Sequence, residues 1–483
     1  MVEKLKWLLA LSFLPALALA VTRAFELTDA LAGYRLQVLC AVRSELYDVP
    51  RLFVHCPADA VLPWISALAL AALVLAVVPV IAFQIAARHC GTDPARNVQL
   101  FPRLVPWAMV VTAITTFLQG LLITALVSLF AVWATLSWVV VAAIMLLAVI
   151  ISTAAVIASL RALTETPVVG EDAIAVGRAD APALWRMIDR IGWRLGSGVP
   201  QTVLIGLEGT FWVASRVVHT PGEDAPEVHV GRILYLSLPI MHRLERDELG
   251  TIIAHELAHF RAGDVAYTTR LAPTYWALEQ AETAFDDMEM PFEHIPHIGP
   301  IFGWLFRAPT GLFLSLLVHS FHANMTAIGR AREFSADRGA LEISTPEIAA
   351  RTLVRTVLYS RRLSALQWSM LQRARNGQEV TQRFAETFDA LEPVDINGEV
   401  DAITADMEHE IVHPFDTHPP TAARLRALGV DPARIDLRAA LDRPSSPAVA
   451  MLPPFLRERL DARLSEWERW HIGEAIAYEL QPT

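Results

Sequence analysis

Two stretches of the chain carry no charged residue, 61–87 and 104–160. An α-helix rises about 1.5 Å per residue, so about 20 apolar residues cross a hydrocarbon core about 30 Å thick. The first stretch predicts one crossing. The second predicts two, joined by a tight turn near Ala131 to Trp138. Trp107, Trp133 and Trp138 are placed for membrane interfaces, where amphipathic aromatics gather. A shorter apolar run, 7–21, follows Lys4 and Lys6 and ends on Ala18-Leu19-Ala20. That grammar fits a cleaved signal peptide and an uncleaved anchor equally well. About four membrane helices are therefore expected within residues 1–160.

From Thr164 the pattern changes to that of a water-facing domain. Residues 180–195 put Leu184, Met187, Ile188, Ile191 and Leu195 on one helical face, and Gly196, Gly198 and Pro200 break the helix. Residues 202–205, 228–230 and 233–238 read as short strands. A helix is expected over 247–261, with Asp247 and Glu248 suited to its positive first turn and Gly263 to its end. Further helices are expected over 267–287, 327–341, 346–375, 381–391, 421–428 and 454–479. Between them, 298–318 is apolar but interrupted by Arg307, and reads as a re-entrant, membrane-resting or buried segment rather than a full span. The fold class predicted is α+β and mostly helical: N-terminal membrane helices over 1–160, a water-facing domain with a small sheet over 161–430, and a helical extension over 431–483.

Composition narrows the function. Hydrophobic residues make up 54% and charged ones 19%, which excludes disorder and agrees with a membrane portion. Three cysteines cannot staple a disulfide scaffold. A net charge of -11 with no dense basic run gives nucleic-acid binding no support. No Gly-rich phosphate loop or G-x-S-x-G elbow is present. Arg88, Arg96 and Arg103 lie between the second and third expected spans and Arg161 follows the fourth, so the positive-inside rule returns the chain to the cytoplasm at about Arg161. Arg23, Arg35, Arg43 and Arg51 in the first loop weaken that bias. Cys40 and Cys56 share the same loop, where an oxidising compartment would let them pair; two unrelated thiols is the equal alternative.

The chemistry concentrates in His255-Glu256-Leu257-Ala258-His259. Residues four apart stack on one helical face, so both imidazoles can take neighbouring corners of a tetrahedral zinc. Glu256 then lies beside a water whose pKa the metal lowers to about 7, and can take its proton. A third ligand is offered by Glu333 in Glu333-Phe334-Ser335-Ala336-Asp337, and Asp337, one turn on, can accept the free N–H of a ligating imidazole. By spacing alone the same acids also fit a solvated face with Arg330, Arg332 and Arg338. His319 and His322 are read as packing rather than a second metal site, His294, His297, His409 and His413 as loop residues, and Trp467 and Trp470 as helix packing.

The sequence here resembles a family. His255 to Asp264, then Arg330 to Asp337, then His418-Pro419-Pro420 followed by Arg424, are similar to HtpX-type membrane zinc metalloproteases, whose relatives include the CAAX prenyl endopeptidase. The resemblance, over roughly 181–428, implies a gluzincin fold, one zinc ion per chain and endopeptidase activity. It implies His255, His259 and Glu333 as ligands, Glu256 as general base, Asp337 as an outer partner, Asp264 as a structural residue and Arg424 as a charge-pairing anchor of the His418 loop. His418 is left with three readings: oxyanion stabiliser, inhibitory zinc ligand, or a loop residue fixed by its prolines. Where the family often has Asn-Ala-Phe on the strand that receives the peptide, this chain reads Gly209-Thr210-Phe211-Trp212. The implied protein is a bacterial inner-membrane endopeptidase with a cytoplasmic catalytic domain, acting on polypeptides, above all membrane proteins, in quality control. The alternatives are a processing protease for one membrane or lipidated substrate, and a zinc-binding scaffold without catalysis.

Overall fold

The computed structural model describes residues 12–24, 58–90, 94–133, isolated positions between 142 and 157, 169–222, 225–261, 278, 299–378, 404 and 419–479. Cys40, Cys56, Trp138, the expected helices over 267–287 and 381–391, Asp264, His294, His297, His409, His413 and His418 lie outside the described residues. The chain divides into two units. One comprises Met1–Thr166 with Leu271–Asn324, the other Pro167–Arg270 with Met325–Thr483.

In the first unit, α1 (Ser12–Ala24) is a short apolar helix. It is followed by α2 (Ala58–Cys90) and α3 (Pro94–Trp133). Leu62–Ala86 and Arg103–Ser128 are each long and apolar enough to cross a membrane. The α2 helix buries small side chains, Ala69, Ala72 and Ala76, at helical spacing. It exposes Leu70, Val74, Val78, Ile81 and Ile85, an apolar outer stripe that water would penalise and lipid would not. The turn expected near Ala131 to Trp138 lies largely outside the described residues.

The second unit is built on two sheets. Strands β2 (Ala173–Ala175), β3 (Thr202–Gly206), β7 (Arg232–Ser237) and β4 (Trp212–Ser215) lie in that order, with β3 and β7 parallel and the outer pairs antiparallel. A smaller sheet joins β1 (Val169–Gly170), β5 (Val218–Thr220) and β6 (Glu227–His229). The near-continuous apolar runs of β3 and β7 follow from burial on both faces. Val203, Ile205, Leu234 and Leu236 face the main core, while Leu204, Ile233 and Tyr235 face a second cluster with Ala173 and Val218.

Helices cover the main core face. The first, α4 (Pro182–Leu195), buries Leu184, Ile188, Ile191 and Leu195 as its periodicity requires, and stops at Gly196, whose φ of 64° is the left-handed cap glycine accepts readily. A single turn, α5 (Leu238–Met241), leads to α6 (Arg246–Arg261), and α7 (Gly299–Ala340), α8 (Pro346–Arg375), α9 (Thr421–Ala427) and α10 (Pro454–Glu479) follow. The apolar segment 298–318 and the helix 327–341, expected as separate elements, are one continuous helix in α7. Leu456, Leu460 and Leu464 of α10 join the same core as α4, α6 and α8. Trp467 packs against that core, whereas Trp470 is exposed and corrects the packing expectation for it.

The start of α6 is fixed by charge. Glu248 is fully buried. It accepts from the Glu245 backbone N–H at 2.7 Å, closing the first turn in capping-box fashion. It also accepts from Arg351 at 2.6 Å and Arg355 at 3.1 Å, both on α8. Arg355 in turn donates to the carbonyls of Arg243, Ala439 and Asp442.

Candidate metal centre

The α6 helix turns its Leu249, Ile253 and Leu257 into the core. The column Thr251, His255, His259, with Ile252 and Glu256 beside it, lines a cavity of about 650 Å³. Opposite lies the C-terminal part of α7. Gly339 lets it come close: a Cβ there would stand 2.5 Å from that of Ala258. This approach brings Glu333 and Asp337 to the two histidines, and both acids are buried rather than solvated.

Nε2 of His255 lies 3.5 Å from Glu333 Oε2, and Nε2 of His259 lies 3.6 Å from Glu333 Oε1. The two rings meet edge to face at 5.1 Å. These N···O separations are long for hydrogen bonds. A tetrahedral zinc with bonds of about 2.0–2.1 Å gives ligand–ligand edges of about 3.3–3.4 Å, so the donor set fits that ion. All three residues offer a ligand atom within 4.8 Å of the others.

The surroundings ask for positive charge. Nδ1 of His255 lies 3.0 Å from Asp337 Oδ1. Burial opposes an imidazolium, yet the Asp337 and Glu333 carboxylates outweigh it and push His255 up to about 10. A divalent cation answers the same demand. Asp337 also accepts both arms of Arg424, at 2.9 and 2.7 Å, and Arg424 reaches Glu333 at 3.3 Å. Burial works to raise the Asp337 carboxyl, but His255 and Arg424 hold it below its ordinary range. Burial likewise opposes the Arg424 charge and Asp337 overcomes it, so its pKa is raised. Arg424 is thus tied to α7 from α9, directly after Pro419 and Thr421, which line the cavity.

Residues 229–430 match the sequence model of Peptidase family M48. This segment is similar to Peptidase family M48, and to proteins of HtpX type. The chain is 30% identical over 201 residues to a protein named Protease HtpX homolog from Gemmatimonas aurantiaca, covering 38% of this chain and 60% of that one. It is 26% identical over 193 residues to the Salinibacter ruber protein of the same name, covering 38% and 58%, and 29% identical over 182 residues to the Ralstonia nicotianae one, covering 37% and 57%. The chain therefore spans somewhat over half the length of these curated relatives. No solved structure matches it.

Of the remaining cavity wall, Gly209 to Trp212 was singled out by the family resemblance, whereas the part on α8 had no signal in any motif. Regular pairing of β4 begins at Trp212, so Gly209, Thr210 and Phe211 line the cavity as the approach to the strand. Strand β4 is the sheet's edge, and its Trp212 stacks on Tyr235 at 5.0 Å. Across from it, α8 contributes Thr352, Leu353, Thr356, Val357, Ser360 and Arg361. Their i, i+4, i+8 spacing was present in the sequence, but nothing there told which face of α8 meets the cavity. His319 is exposed on α7.

Proposed function

We propose that this chain is an integral membrane, zinc-dependent endopeptidase of the bacterial inner membrane, with its catalytic domain in the cytoplasm and membrane proteins as its substrates in quality control. The observation that carries the reading is the convergence of His255, His259 and Glu333, with Glu256, at a cavity bordered by an edge strand. His255, His259 and Glu333 would hold the metal. When bound, zinc supplies a water acidified to a pKa of about 7 and an electrophile for the scissile carbonyl. Glu256 takes a proton at that position and hands it to the leaving amide nitrogen. Asp337 holds the Nδ1–H of His255, so that Nε2 keeps its lone pair toward Glu333. Arg424 keeps Asp337 ionised. His418, next to the cavity residue Pro419, is assigned to negative charge developing on the carbonyl oxygen, and Asp264 to structure after α6. The apolar outer stripe of α2 supports membrane residence, and the arginines at 88, 96, 103 and 161 support the cytoplasmic side.

The test is Glu256→Gln in the full chain purified in detergent. Zinc should remain bound at one ion per chain, while cleavage of an unfolded membrane-protein substrate falls about 10²- to 10⁴-fold. Undiminished cleavage by that variant refutes the mechanism.

A further inference from the structure

The chain passes from β3 to the edge strand β4 through Leu207 to Phe211, and Gly209, Thr210 and Phe211 of this connection line the cavity. Both ends of the connection meet one side chain. Tyr235 of β7 lies between the two strands, in register with Leu204 of β3 on one side and Trp212 of β4 on the other. Its hydroxyl oxygen accepts the backbone N–H of Glu208 at 2.9 Å. Its ring stacks on Trp212 at 5.0 Å, with the two planes 9° apart. The hydroxyl reaches that far because residue 206 is glycine: a Cβ there would collide with Tyr235 Oη. Tyr235 is fully buried. Burial, and the Glu208 charge after it, raise the phenol well above its ordinary value, so the accepting oxygen stays a hydroxyl.

Neighbouring contacts complete the frame. Gly209 leans on α8, where an added Cβ would stand 3.0 Å from Ser360 Oγ and 3.2 Å from Leu363 Cδ2. The Arg216 guanidinium lies over the Trp212 ring at 5.3 Å and reaches the buried Glu171 at 3.2 Å. Thr210 gives its hydroxyl proton to the Phe211 carbonyl at 3.2 Å, so that acceptor is taken before regular pairing begins at Trp212. Tyr235 itself does not line the cavity. Its two contacts bracket the residues that do.

We infer that Tyr235 is a positioning residue: through the Glu208 N–H and the Trp212 ring it holds the connection and the start of β4 in the shape that receives an extended peptide beside the metal ligands. The inference rests on the peptidase reading above and names a residue that sets its substrate affinity. A preformed edge accepts a peptide strand without the cost of ordering itself. That saving is equal in the ground and transition states, so it belongs to KM and not to kcat.

The test uses the zinc-loaded full chain in detergent and an internally quenched apolar decapeptide. Tyr235→Phe keeps the ring and its stacking but removes the acceptor of the Glu208 N–H. It should raise KM about fivefold, with kcat within twofold of the parent and one zinc ion still bound per chain. Arg216→Gln, a change at a partly exposed side chain, loosens Trp212 from its other face and should raise KM about twofold to threefold. Tyr359→Phe is the control. It removes another buried tyrosine hydroxyl, one that bonds the Leu441 carbonyl at 3.2 Å, and should leave KM unchanged. A merely structural Tyr235 would lower the unfolding temperature without this split between KM and kcat. Unchanged KM in both Tyr235→Phe and Arg216→Gln, a loss that falls on kcat instead, or an equal rise in Tyr359→Phe overturns the inference and leaves the peptidase reading standing. Absence of cleavage by the zinc-loaded parent overturns the peptidase reading and the inference with it.

Discussion

Gly339→Ala tests how the site is assembled. The added methyl would sit 2.5 Å from the Ala258 Cβ, where carbon atoms settle at about 3.5–4.0 Å. The two helices must therefore part locally by about 1–1.5 Å. Overpacking of this kind costs about 1–3 kcal/mol, and the better helix propensity of alanine returns about 1 kcal/mol. Global stability should fall by no more than about 2 kcal/mol. Zinc binding should suffer more, because Ala258 adjoins His259 and Gly339 follows Asp337 by two residues. Ligand distances tolerate only about 0.2 Å. A fall in zinc affinity of about 10- to 100-fold is expected, comparable to losing an outer-shell partner. Competition against a chromophoric chelator measures it. Adding Ala258→Gly removes the clashing carbon and should restore most of the affinity. If Gly339→Ala binds zinc within twofold of the parent, or if the second substitution restores nothing, the close approach of α6 and α7 does not govern the site.

Three further outcomes follow from contacts already described. Asp337→Asn should weaken zinc binding about 10- to 100-fold, read by the same chelator competition, with the peptidase unit still folded by circular dichroism. Glu248→Ala leaves Arg355 buried without its carboxylate and should destabilise by about 3–5 kcal/mol, whereas Glu248→Leu with Arg355→Leu should lose far less; a double-mutant cycle in thermal unfolding checks this, and equal losses would argue against the pair. Burial, with Glu208 adding to it, pushes Glu171 up to about 7, against the opposing pull of Arg216. An acid raised on folding contributes fully below its unfolded value and loses that contribution as pH rises through the folded one. Unfolding temperatures should therefore decline between about pH 5 and pH 8, and Glu171→Gln should flatten that decline.

Much of the site is local, and so it is legible in one dimension. The i, i+4 pair of α6 needs only helical geometry to stack His255 on His259, and the periodicity of 182–195 and 346–375 places both helices nearly to the residue. Long uncharged runs announce lipid because backbone and side chains alike must avoid unpaired polarity there. The strands β1, β2 and β5 escape notice because two or three residues show no alternation. The continuous helix over 299–340 escapes it because its apolar and charged halves read as different environments, although hydrogen bonding along the backbone is indifferent to that change.

Chain order thus determined which residues are proposed to carry the chemistry: the two imidazoles, the acid between them, and the later acids at a helical spacing. It left open whether Glu333 and Asp337 face solvent or the two histidines, because a sequence records separation along the chain and not approach across space. Packing decided that. The gap left by Gly339, the buried Glu248–Arg355 clamp and the reach of Arg424 from α9 are contacts between residues tens to more than a hundred positions apart. Only tertiary structure makes neighbours of them.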